Sequence, residues 1–231
     1  MPPSMIDAII CDFDGLILDT ETPDYECWRG IYAELGCELM LEDWVKCIGT
    51  QFGDYDPFAD LENKLGHPVD RDGLTALHSR RFNAVISAQP PMPGVCGLLA
   101  DAAELNLALG LASSSPRAKV LPQLERLKLT HYFKCIRCAE DVEHVKPAPD
   151  LYRAVVEMLG VSPSRAVALE DSPNGIKAAK SAGLFCIAAP NAMTRLLDLD
   201  GADMRIYALD ELPLRGLLTS VEHHLRSSAY S

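Results

Sequence analysis

Four short stretches of the chain carry side chains that could do chemistry together. They are Asp12 with Asp14, Ser113 with Ser114, Lys146 alone, and Glu170 with Asp171. Carboxylates gathered in that number repel one another unless a cation sits among them. A donor set made only of hard oxygen atoms selects Mg²⁺. Backbone amides at a helix start behind Ser113 would suit the oxygens of a phosphate. Taken singly, each stretch has an ordinary reading. Asp-x-Asp is a turn, serines after a strand are helix caps, Lys-Pro is a solvated loop, and Glu-Asp-Ser-Pro opens a helix. Only convergence on one edge makes them a site.

That convergence depends on the elements that carry them. Ile6 to Asp12 is a short Ile-rich run fit for a buried strand, and Leu107 to Ala112, Tyr132 to Cys138, Arg165 to Leu169 and Leu184 to Ala189 read the same way. Between them lie helical segments at Val95–Asn106, Arg117–Leu127 and Asp150–Leu159, and one that Ser172-Pro173 opens and Gly183 closes. Alternation of this kind predicts a Rossmann-like α/β core, a parallel sheet with helices on both faces. Ligands bind beyond the carboxyl ends of such strands, where all four stretches fall.

One region breaks the alternation. From Pro23 to Ser87 the apolar spacing is helical, as in Tyr25, Trp28, Ile31, Tyr32 and Leu35, and Gly36 stands where a helix would end. Asp43, Asp54 and Asp72 are expected to open later helices. Three prolines in the run Pro90-Pro91-Met92-Pro93 then forbid a continued helix. A lone first strand cannot bury itself, so it belongs to the same sheet as the later ones. The helical stretch is therefore an insertion: residues 19–91 form an α-helical cap on a core of residues 1–18 and 92–231.

Composition removes several classes. The 231 residues are 48% hydrophobic and 23% charged, which is globular, and a net charge of −12 argues against a nucleic-acid partner. No apolar run approaches the length of a membrane span, and the N-terminus lacks the pattern of a secretory signal. Eight scattered cysteines read as reduced thiols, so a cytoplasmic location is expected. Cys135 and Cys138 sit three apart in an expected strand, which points them to opposite faces and makes them packing residues. His223 and His224 read as exposed helix residues, and Trp28 and Trp44 as apolar core of the cap.

In order and spacing, the four stretches resemble the haloacid dehalogenase superfamily. Cys11-Asp12-Phe13-Asp14-Gly15-Leu16, running on into Asp19-Thr20-Glu21, is similar to its first motif, and Leu111-Ala112-Ser113-Ser114-Ser115 to its second. Lys146-Pro147 and Leu169-Glu170-Asp171-Ser172-Pro173 match the third and fourth, so the likeness covers nearly the whole chain. It implies a phosphatase acting on a small phosphorylated metabolite such as a sugar phosphate, in the subgroup of β-phosphoglucomutase and phosphoglycolate phosphatase. Asp12 would be the nucleophile that becomes an aspartyl-phosphate, and Asp14 the acid and base. Mg²⁺ would be held by Asp12, the main-chain carbonyl of Asp14, and Asp171, with Glu170 bound directly or through water. Ser113, the Ser114 amide and Lys146 would hold the phosphoryl oxygens.

Specificity would lie in the cap, with Thr20, Asp24, Thr50, Gln51, Arg80 and Arg81 as its expected contacts. Departures separate the subgroups. Asp24 stands where β-phosphoglucomutase has a histidine, Phe52 near its cap-loop arginine, and Pro116 at a lysine. Losing two basic contacts counts against retaining a bisphosphate, so phosphatase is favoured over phosphosugar mutase. A non-catalytic phosphometabolite-binding protein is the third reading. The remaining expectations are no nucleic-acid or membrane partner and a monomer or weak homodimer.

Overall fold

The computed structural model describes residues 5–48 and 55–228. Six strands form one sheet in the order β3-β2-β1-β4-β5-β6, with every neighbouring pair parallel. They are β1 (Ala8–Cys11), β2 (Ala108–Ala112), β3 (Cys135–Arg137), β4 (Ala166–Glu170), β5 (Phe185–Ala188) and β6 (Met204–Arg205). The strands are short and apolar because both faces are covered. Strand order reverses between β1 and β4, and a crevice opens there beyond the carboxyl ends. Register fixes what stands at that point. Cys11 pairs with Leu169 on one side and Leu111 on the other, so Asp12 emerges beside Glu170 and one step from Ser113.

Strand periodicity of two divides the core. Ile9, Cys11, Leu109, Leu111, Val167 and Leu169 face one apolar cluster, built with α5 (Val95–Glu104), α6 (Arg117–Arg126) and α9 (Leu214–Ser228). Ala8, Ile10, Ala166, Ala168 and Cys186 face the other, built with α7 (Asp150–Leu159) and α8 (Pro173–Ser181). Cys138 belongs to the first cluster and Cys135 to the second, which places the two thiols on opposite faces. The α7–α8 face is lined by small residues, and this lets its helices approach closely. Gly110 is the tightest point: a Cβ there would lie 2.4 Å from Val155 Cγ1.

Between β1 and β2 the chain forms α1 (Glu21–Glu34), α2 (Leu41–Trp44), α3 (Pro57–Leu65) and α4 (Arg71–Ile86). These helices have an apolar cluster of their own, with Tyr25, Trp28, Ile31, Tyr32, Trp44 and Leu61 buried in it. The two connections touch where they leave the core, the Met92 amide donating to the Ile17 carbonyl at 2.9 Å. Helix starts differ in detail from the sequence reading. Asp56 and Asp70 cap α3 and α4 through the Phe58 and Gly73 amides, while Asp43 and Asp72 lie inside first turns. Pro57 fixes the first, because a proline at the first helical position puts the cap one residue earlier. Asp54 lies outside the described residues.

Packing at Gly110 gives a direct test. Gly110→Ala is expected to destabilise the fold by about 1–3 kcal/mol in urea unfolding, since stiff β-branched Val155 cannot move aside. Val155→Ala in the same background should recover part of the loss.

Candidate active site

Asp12 continues β1 by one residue, its amide donating to the Leu169 carbonyl at 3.0 Å. The chain then turns sharply through Gly15 at φ +77°, a conformation that glycine adopts without strain. The Gly15 amide donates to the Leu18 carbonyl at 2.8 Å, so the turn closes on itself. Asp14 is held toward β2, where the Ser113 hydroxyl donates to its Oδ2 at 3.2 Å.

Lys146 reaches the crevice from the loop after β3. Its ammonium donates to Asp12 Oδ1 and to Glu170 Oε1, the latter at 2.7 Å. Tyr152 on α7 donates its hydroxyl to the same Glu170 oxygen at 2.6 Å and sets its ring 5.2 Å from the ammonium. The other Glu170 oxygen accepts the Asp171 amide at 3.2 Å and the Ser172 hydroxyl at 3.3 Å. Glu170 is thus fully bonded although no part of its surface meets solvent. Asp171 is steadied by Asn191, whose Nδ2 donates to its Oδ2 at 2.8 Å and to the Gly15 carbonyl at 3.1 Å. Asn191 follows β5, so three strand ends meet here.

Asp12, Glu170 and Asp171 are buried, and each presents a carboxylate oxygen within 4.8 Å of the others. Three converging hard donors fit a divalent cation. The charges agree with that fit, since one ammonium faces three carboxylates. Burial pushes the Asp12 carboxyl up to about 7; Lys146 pulls it down, and Glu170 and Asp14 add to the rise. Asp171 is raised well above its ordinary value by burial, then by Asp12 and Glu170. For Lys146 burial works against the charged form, but Asp12 and Glu170 outweigh it and hold the ammonium protonated. A cation placed among these groups would remove the excess negative charge.

The expected site residues fall into three groups. Asp12, Asp14, Ser113, Lys146, Glu170 and Asp171 come together at one edge. Ser114 follows with a buried hydroxyl that has no hydrogen-bond partner among the described residues. The serines do not cap α6: the Ser113 hydroxyl accepts the Ser115 amide, and the Arg117 amide is taken by the Glu140 carboxylate. A tertiary contact has replaced the local cap at the start of α6.

The third group lies on the helical insertion. Asp24 Oδ1 lies 2.6 Å from His78 Nε2, across α1 and α4. The His78 ring stacks between Trp28 and Phe82. Thr20 keeps a buried hydroxyl without a hydrogen-bond partner among the described residues. Arg81 is bonded to Glu34, at 2.8 and 2.9 Å. It lines an outer groove of about 400 Å³ with Thr22, Pro23, Cys27 and Val85, and Arg80 is exposed. Thr50, Gln51 and the neighbouring Phe52 lie outside the described residues.

Sequence reasoning did not find Tyr152, Asn191, Glu21 or His78. Glu21, in the first turn of α1, has its carboxyl pushed up to about 8 by burial and then by Asp14, Asp24, Asp19 and Asp12. Its place directly after Asp19-Thr20 was the available signal. The other three sit far along the chain from the carboxylates they contact, with no local pattern to mark them.

A parallel α/β core with buried carboxylates at its strand-order reversal is an arrangement suited to enzymatic chemistry on a ligand bound beyond the strand ends. The model of the haloacid dehalogenase-like hydrolase family matches residues 9–189, and the chain belongs to that family. It is 44% identical to YhcW of Bacillus subtilis over 93% of this chain and 97% of that protein. Hexitol phosphatase B of Escherichia coli is 30% identical, over 94% of this chain and 98% of its own. A crystal structure of a CbbY variant from Rhodobacter sphaeroides in complex with xylulose-(1,5)bisphosphate superposes with a TM-score of 0.68. That pair is 30% identical and covers 90% of this chain and 96% of that one. With such relatives along its whole length, the chain is a hydrolase of the phosphatase kind. Among the described residues, no helix is long and apolar enough to cross a membrane.

The raised carboxyls set a pH dependence. Asp12 and Glu21 bind protons more tightly in the folded state, at about 7 and about 8, than at their ordinary values of 3.8 and 4.5. Their contribution is fully present below those ordinary values and is lost as pH rises through the folded ones. The thermal midpoint in excess chelator should therefore fall between pH 5 and pH 8. Asp12→Asn should flatten part of that fall.

Proposed function

We propose that this chain is a Mg²⁺-dependent phosphomonoester hydrolase that cleaves small phosphorylated sugars or polyols through an aspartyl-phosphate on Asp12. The observation that carries this reading is the arrangement of Asp12. It is buried at the strand-order reversal, bonded to Lys146 and flanked by Asp171, with Asp14 two residues on. Relatives named for phosphorylated carbohydrates support the substrate class.

Chemically, an Asp12 carboxylate oxygen attacks phosphorus, and the bond from phosphorus to the sugar oxygen breaks as the new one forms. Asp14 gives its proton to the departing oxygen. The Ser113 hydroxyl bonded to Asp14 keeps that carboxyl aimed across the crevice. Water then attacks the phosphorus of the aspartyl-phosphate, Asp14 takes its proton, and phosphate leaves with Asp12 restored. Lys146 stays charged throughout and offsets negative charge on the phosphoryl oxygens. Mg²⁺, held by Asp12 and Asp171 with Glu170 behind them, would supply the positive charge that lets a carboxylate approach a phosphate dianion. Residues 19–91 serve as a cap on the core of 1–18 and 92–231, and exclude water when closed. Glu21, at the start of α1, lies near enough to Asp14 and Asp12 for their charges to raise its carboxyl.

The test is phosphate release from a panel of hexose, pentose, polyol and nucleoside monophosphates, with Mg²⁺ and with excess chelator. Release confined to Mg²⁺ and concentrated on sugar or polyol phosphates is expected. Isomer conversion without net release would instead establish a mutase. Asp12→Asn should lower kcat by several orders of magnitude, and Asp14→Asn by about 10²–10⁴-fold with Mg²⁺ binding largely kept.

A further inference from the structure

We propose that Asn191 is the positioning residue of the metal site, and that its loop couples metal binding to the helical insertion. The inference rests on the reading that Asp12 and Asp171 hold a divalent cation.

Asn191 is 3% exposed, and every polar atom of its side chain is used. Its Nδ2 donates to Asp171 Oδ2 and to the Gly15 carbonyl, at 2.8 and 3.1 Å. Its Oδ1 accepts the amides of Met193 and Thr194 at 2.8 and 3.0 Å, and its own amide donates to the Thr194 hydroxyl at 3.0 Å. One side chain thus joins the carboxylate at the end of β4, the turn that follows Asp14, and the loop after β5. There is no spare room at this junction. A Cβ on Gly15 would lie 2.1 Å from Asp171 Oδ2 and 2.6 Å from Asn191 Nδ2.

A carboxylate oxygen tied to an amide donor leaves its partner oxygen directed at the metal, and groups behind a ligand set its orientation. Asn191 therefore chooses which Asp171 oxygen is free. The same loop extends away from the core. Met193 is buried in the apolar cluster of the insertion, with Trp28, Tyr25 and Trp44. A shift of Asp171 on binding a cation moves Asn191, and the two short amide bonds carry that shift to Met193. Both tryptophans of the chain lie in that cluster, so its fluorescence reports on the insertion alone.

The experiment is a Mg²⁺ titration without substrate, followed by calorimetry and by tryptophan emission, on the full chain and three variants. Wild type should bind Mg²⁺ and change its emission with the same midpoint. Asn191→Ala, and Asn191→Ser whose hydroxyl can still accept the Thr194 amide, should bind Mg²⁺ about 10–100-fold more weakly. Thr194→Val loosens the loop without touching Asp171 and should keep affinity within about threefold of wild type. Unchanged affinity in Asn191→Ser, or an equal loss in Thr194→Val, would overturn the positioning role. Binding with no change in emission would overturn the coupling. A wild type that binds no Mg²⁺ would instead defeat the metal reading on which both rest.

Discussion

Three carboxylates buried around one ammonium are the constraint on which the rest of this structure depends. Removing such charges from water costs several kcal/mol each unless partners replace the lost solvation. Lys146 serves two of the three directly, and Tyr152, Ser172 and Asn191 supply the remaining donors. Each of these arrives from a different segment, so the cluster cannot form until the sheet and its helices have closed. Folding thereby assembles an excess of negative charge that protons or a cation can balance.

Close packing is what brings those donors within reach. Alanines and Gly110 on one face of the sheet allow α7 and α8 to lie against the strands, which carries Tyr152 to Glu170. Gly175, in the first turn of α8, touches Glu170 so closely that a Cβ would fall 1.9 Å from its carboxyl carbon. Small side chains here act as spacers for charge, and the same residues give little hydrophobic burial. The larger apolar side chains lie on the opposite face and around α5 and α9. One face of the sheet therefore carries more of the apolar burial and the other holds the helices that serve the site.

What could be read from the sequence follows from these distances. Asp12, Lys146, Glu170 and Asp171 were legible because strand ends announce themselves by an apolar run that stops at a polar residue. Parallel topology then dictates where such residues meet. Asn191 and Tyr152 were not legible, since an asparagine in a loop and a tyrosine on a helix have meaning only beside their distant partners. The same holds for Glu140, whose carboxylate caps α6 in place of the serines that sequence favoured. Asp24 shows the limit most plainly. Its contact with His78, 54 positions on and across two helices, leaves no mark in the local sequence. Local chemistry is written in order along the chain, whereas tertiary pairing is not.

Asp12 is the group proposed to accept the phosphoryl from substrate, and an acyl phosphate can be caught chemically. Enzyme quenched in acid during turnover, then reduced with borohydride, would carry homoserine wherever an aspartyl-phosphate had formed. Mass spectrometry of the peptide spanning β1 should find that conversion at Asp12 and at no other carboxylate, and only when substrate is present. Unmodified aspartate at position 12 in enzyme that is releasing phosphate would contradict the account.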